Sequence, residues 1–138
     1  MDKIRILAVD DEPDLRALLR ILLKNKGYEV LEAASGQEAV DLVRSEPRTD
    51  LVIMDIMMPG LDGVQACAEI RKFSTVPMLF LTAKSQLADK AEAYASGGDD
   101  YLAKPFSQNE LMLKVESLTR RYRVYKGKTE PSPGARPG

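Results

Sequence analysis

The chain has 138 residues, 44% of them hydrophobic and 30% charged, with a formal net charge of −1. That is enough for one domain with a real core, and it leaves no overall field to attract nucleic acid or an anionic membrane. Histidine is absent, which excludes Ser-His-Asp and Cys-His catalysis, His-ligated zinc and any phosphohistidine relay carried within this chain.

Strand and helix signals alternate along the chain. IRILAVD (4–10) is an apolar, β-branched run, and Pro13 after it suits the first turn of a helix. Leu15, Leu18, Leu19, Leu22 and Leu23 recur at helical spacing up to Lys26, where Gly27 closes the helix. YEVLEA (28–33) alternates as a short strand, and Ser35 caps a helix with Ala39, Val40 and Val43 on one face.

LVIMDIMMPGLDG (51–63) then opens on four apolar residues, a pattern that suits a strand covered on both faces in a parallel sheet. The run ends on Asp55, although burying an unpaired charge is costly. Val64 to Phe73 reads as a helix capped by Asp62, with Cys67 on it as a small packing residue. With a single cysteine the chain forms no internal disulfide, which fits a reducing cytoplasm. VPMLFLT (76–82) is a fourth buried strand, 87–96 a weaker helical stretch ending at Gly97-Gly98, and DYLA (100–103) a fifth strand. Ser107 caps a last helix carrying Leu111, Leu113, Val115 and Leu118 toward Arg121. YKGKTEPSPGARPG is poor in apolar residues and cannot join a core. No apolar run approaches the length of a membrane span, and MDKIRILAVDD is no signal peptide.

Five βα units in succession predict an α/β sandwich on a parallel sheet. Sites in such sheets form outside the carboxyl ends of the strands. Those ends carry Asp10, Asp11, Asp55, Thr82 and Lys104. Taken singly, Asp10 or Asp11 reads as a helix cap, Thr82 as a strand terminus and Lys104 as a solvated charge. Taken together, three acids at neighbouring strand ends repel one another unless a cation lies among them, and hard oxygens suit Mg²⁺.

VDDE (9–12), IMDIMMPGLDG (53–63), LTA (81–83) and DYLAKPF (100–106) together resemble the receiver domain of two-component response regulators, over about residues 4–121. The resemblance implies a doubly wound, flavodoxin-like parallel sheet of five strands in the order 2-1-3-4-5, flanked by five helices. It implies a receiver domain over 1–123, with 124–138 a flexible linker or non-native tail before a missing effector domain. By position, Asp55 is implied as phosphoacceptor, Asp10 and Asp11 as metal-holding acids, and Met57 as a metal ligand through its backbone carbonyl. By the same resemblance Lys104 would pair with the phosphoryl oxygens, Thr82 would donate its hydroxyl to them, and Tyr101 would turn inward behind it as part of the switch. The resemblance also implies Mg²⁺ or Mn²⁺ as cofactor and a cis Lys104–Pro105 peptide.

DYLAKPF followed by a helix ending in Arg120-Arg121 resembles receivers of the winged-helix transcription-factor subfamily. This implies a cytoplasmic protein phosphorylated by a sensor histidine kinase, homodimeric once phosphorylated, and reaching DNA only through the missing domain. The implied interface is the face of the 87–96 helix, the fifth strand and the last helix. It would use Lys90, Asp99, Asp100, Glu110, Lys114 and Arg120, with pairs such as Lys90–Glu110 and Asp100–Lys114. The plain alternative is a solvated charged face. Met57 and Lys84 occupy the positions that tune phosphoryl lifetime in the family, and bulky Met57 would screen Asp55 from water. A stand-alone adaptor is the alternative within the family. A Mg²⁺-dependent phosphohydrolase is the alternative outside it, but such enzymes usually carry a second Asp where Met57 stands.

Overall fold

A computed structural model describes residues 3–83 and 97–129. The elements run β1 Arg5–Val9, α1 Pro13–Asn25, β2 Glu29–Ala33, α2 Gly36–Ser45, β3 Leu51–Asp55, α3 Gly63–Ile70, β4 Met78–Ala83 and β5 Asp100–Lys104. A last helix, here α4, spans Gln108–Thr129. The sheet is parallel with strand order β2-β1-β3-β4-β5. That is the expected doubly wound architecture. The helical stretch expected at 87–96, with Lys84 and Lys90, lies outside the described residues.

Alternation along the central strands sends side chains into two cores. Leu7, Val9, Val52, Met54, Met78 and Phe80 meet the buried faces of α2 and α3. Ile6, Ala8, Ile53, Leu79 and Leu81 meet Leu19 and Leu23 of α1 and Leu111, Val115 and Leu118 of α4 on the opposite face. All five residues of β3 are buried, which is why its sequence is continuously apolar up to Asp55.

The helices start where their sequences direct. Ser35 Oγ accepts from the Glu38 N–H, and Asp62 with Gln65 forms a reciprocal capping box on α3. Ser107 and Glu110 do the same for α4, each side chain accepting from the other's backbone N–H. Gly27 closes α1 at φ +91°, a conformation other residues rarely adopt. One helix differs from expectation: α4 does not stop near Arg121 but continues to Thr129.

The pairing register brings four strand ends to one edge. Val9 lies between Ala33 and Met54, Asp55 beside Leu81, and Ala83 beside Lys104. Asp55 ends β3 at this edge, and the loop after β1 carries Asp10 and Asp11.

Candidate functional site

Asp10 follows β1 directly and is fully buried. Its N–H donates to the Ala33 carbonyl at 3.1 Å, and its Oδ1 accepts from the Glu12 N–H at 2.9 Å. Its Oδ2 has no hydrogen-bond partner although it is buried. An orphaned buried carboxylate oxygen is costly and calls for a counter-charge.

Asp55 ends β3 and is also buried. Its Oδ1 accepts from the Met57 N–H at 3.2 Å, and its Oδ2 from Lys104 Nζ at 3.2 Å. The N-terminus of α3 is pressed against the Asp55 backbone. A β-carbon on Gly63 would strike the Asp55 carbonyl oxygen, so only glycine fits there.

Lys104 bridges the acids, with Nζ at 3.2 Å from Asp55 Oδ2 and 3.5 Å from Asp10 Oδ2. Burial and the neighbouring Asp10 push the Asp55 carboxyl above the ordinary carboxylate range, against the pull of Lys104 and the Met57 N–H. Burial works to lower the Lys104 ammonium. Attraction to Asp55 and Asp10 outweighs it, so the group titrates above its ordinary value and stays charged.

The exposed Asp11 completes the cluster: one carboxylate oxygen from each of Asp10, Asp11 and Asp55 lies within 4.8 Å of the others. A hard divalent cation fits this set, because it would meet an all-oxygen shell and satisfy the orphaned Asp10 Oδ2. One lysine cannot balance three carboxylates.

Thr82 is buried at the end of β4, with Oγ1 at 3.3 Å from the Ala83 carbonyl. Tyr101, on β5, packs partly buried against the core shared with α2 and α3. Met57, whose N–H meets Asp55 Oδ1, is 53% exposed. The Lys104–Pro105 peptide is cis.

The structure thus gathers Asp10, Asp11, Asp55 and Lys104 at one sheet edge. The other face behaves differently from a row of outward charges. Lys114 Nζ pairs with both oxygens of Asp100 at 3.1 and 3.0 Å within one chain. Glu110 is engaged in its own capping box. Asp99 Oδ2 accepts from the Met78 N–H at 2.9 Å and from Arg71 Nη2 at 3.0 Å. Arg120 is exposed.

Two residues escaped the sequence reading. Arg16 donates from Nη1 to the Asp10 carbonyl at 2.6 Å, and Arg71 donates to the carbonyls of Val76 at 2.6 Å and Gly97 at 2.9 Å. Charged helix residues give no sign in sequence that they serve a distant carbonyl.

Comparison with known proteins finds one family. The family described as "Response regulator receiver domain" matches residues 6–116. The uncharacterized transcriptional regulatory protein YrkP of Bacillus subtilis is 51% identical over 126 residues, 91% of this chain and 54% of that protein. The transcriptional regulatory protein ResD of Bacillus subtilis is 43% identical over 117 residues, 85% of this chain and 48% of that protein. The chain therefore spans about half the length of these curated relatives. Among solved structures, a response regulator receiver domain protein from Clostridium thermocellum superposes with a TM-score of 0.84 at 29% identity, over 88% of this chain and 98% of that one.

Proposed function

The chain belongs to the response regulator receiver domain family, and from that premise we propose that Asp55 is its phosphoacceptor in a two-component pathway. Domains of this family are phosphorylation switches rather than turnover enzymes, and response regulators work with sensor histidine kinases. An Asp55 carboxylate oxygen attacks phosphorus as the donor's P–N bond to a kinase histidine breaks, giving an acyl phosphate and releasing the imidazole.

Each neighbour has a task in that step. Lys104, held charged beside Asp55, places its ammonium where negative charge develops on the phosphoryl oxygens. Thr82 donates its hydroxyl to the product phosphoryl group, and Tyr101 follows it inward, relaying the change toward β5 and α4. Mg²⁺ or Mn²⁺, held by Asp10, Asp11, Asp55 and the Met57 backbone carbonyl, would supply charge that offsets the carboxylate repulsion and the phosphoryl charge. Exposed Met57 limits the approach of water to the acyl phosphate and lengthens its life.

Phosphorylation promotes pairing of two copies through the face of β5 and α4, which carries Asp100, Glu110, Lys114 and Arg120 and follows Asp99; Lys90, expected to join them, lies outside the described residues. The relatives are transcriptional regulators about twice as long, which supports an output on transcription through a DNA-binding domain beyond this chain. A cytoplasmic setting follows from a kinase donor, and no described helix is long and apolar enough to cross a membrane.

The observation that carries this reading is the pairing of Lys104 with Asp55 beside the unsatisfied Asp10 Oδ2. Incubation with acetyl phosphate and Mg²⁺ should load one acid-labile phosphate per chain, and Asp55→Asn should abolish it. Undiminished labelling of the Asn variant would sink the proposal.

A further inference from the structure

The phosphotransfer step gives Arg16 no task, yet this residue is tied to the site. It lies on α1, where its Nη1 donates to the Asp10 backbone carbonyl at 2.6 Å. Its Nε faces Glu32 Oε1, on β2, at 3.5 Å. Glu32 is held in turn by Arg20 Nη1 at 2.8 Å. A guanidinium is a rigid fork of donors, so it can serve a carbonyl and a carboxylate at once.

The consequence falls on Asp10. Its N–H is fixed to Ala33, its Oδ1 to the Glu12 N–H, and its carbonyl to Arg16. Only Oδ2 is left without a hydrogen bond, and it is buried 3.5 Å from Lys104 Nζ, within the carboxylate cluster. The grip on the carbonyl therefore helps set where that last oxygen points.

We propose that Arg16, braced by Glu32, is a positioning residue that aims Asp10 Oδ2 and so sets the affinity of the acidic site for a divalent cation. This rests on the metal-dependent reading given above. Outer partners that orient metal ligands typically govern affinity by tenfold or more.

Two simpler roles would leave different traces. If Arg16 acted only through its charge, it would repel a nearby cation, and removing it would tighten binding. If it only held the fold together, its loss would lower the melting temperature and leave the affinity of the folded protein unchanged. Positioning alone weakens binding on removal.

The test is a Mn²⁺ titration of the full chain, followed by electron paramagnetic resonance without any phosphodonor, with melting monitored by circular dichroism. Arg16→Met should raise the Kd about tenfold while the protein remains folded. Arg16→Lys keeps the charge but has one nitrogen to divide between two partners, so it should restore part of the affinity. Glu32→Gln should weaken binding in the same direction by less. Binding by Arg16→Met as tight as wild type, or tighter, overturns the proposal. Should Arg16→Met fail to fold, wild-type affinity in both Arg16→Lys and Glu32→Gln would overturn it equally. Folded wild-type protein that binds no Mn²⁺ would instead remove the metal-dependent reading, and this inference with it.

Discussion

Asp55 is costly to the fold in the ionised form its chemistry requires. Burial and the facing Asp10 hold its carboxyl above the ordinary carboxylate range. Between the ordinary and the raised value the folded state binds more proton than the unfolded one. Stability therefore falls as pH rises through that window, and the deficit persists at neutral pH. Asp55→Asn should thus melt several degrees higher than wild type at pH 7 without Mg²⁺. The gap should close below the ordinary carboxylate range and narrow when Mg²⁺ stabilises the wild type by binding. Differential scanning calorimetry across pH checks this, and a lower melting temperature for the Asn variant would mean that Lys104 more than offsets the repulsion. Asp10, Asp55, Thr82 and Lys104 were legible in sequence because each ends or follows a strand of a parallel sheet, and topology alone brings such ends together. Arg16 was not legible. Its partner at the site is a backbone carbonyl, which has no signature in sequence, and a charged residue among the leucines of α1 reads as solvated.

Elements constrain the site through close contacts with little room to relax. Where α3 begins, a β-carbon at Gly63 would meet the Asp55 carbonyl and the Ile56 backbone, neither of which can yield as a flexible side chain would. Gly63→Ala should cost about 2 kcal/mol in urea unfolding, in the range of an overpacked core. It should also slow phosphorylation by displacing Asp55. A wild-type urea midpoint would show that the α3 start shifts freely. At the opposite end of the sheet, Arg71 joins the turn after α3 to the strands that follow, through Val76, Gly97 and Asp99. Asp99 Oδ2 also accepts from the Met78 N–H, and the Asp99 N–H donates to the Met78 carbonyl at 3.1 Å. Arg71→Met leaves the carbonyls of Ser74, Val76 and Gly97 and the Asp99 carboxylate without this donor, at a cost of about 2 kcal/mol. Hydrogen exchange should then quicken at the Met78 and Asp99 amides while β1 and β3 keep their protection. Uniform change across the sheet would mean that Arg71 is no local clamp. Hydrophobic period and caps made the strands and helix starts legible. The C-terminal end of α4 was not: among the described residues its last buried apolar side chain is Leu118, while the helical backbone continues to Thr129.

At the scale of the molecule, the open question is how a change at one sheet edge reaches a second copy. Sequence placed complementary charges on β5 and α4 but could not say whether they pair within a chain or between chains. In this structure Lys114 pairs with Asp100 of its own chain, with Nζ 5.8 Å from the centre of the Tyr101 ring. The inward turn proposed for Tyr101 would therefore remove a neighbour of the same ammonium. A partly exposed, solvent-screened ion pair of this kind contributes only about 1 kcal/mol, so exchanging it for an intermolecular pair costs little. A modest bias from the phosphoryl site can then move the equilibrium, since a tenfold shift needs about 1.4 kcal/mol. Size-exclusion chromatography should show a monomer in Mg²⁺ alone and a dimer once beryllofluoride mimics the phosphoryl group. Asp100→Lys should abolish that dimer by opposing like charges, and Asp100→Lys with Lys114→Asp should restore it. Because the swapped pair returns the same complementarity in reverse, rescue distinguishes a charge-matched interface from general damage to β5. A double variant that stays monomeric with beryllofluoride, while still folded, would place the dimer contact elsewhere on the molecule.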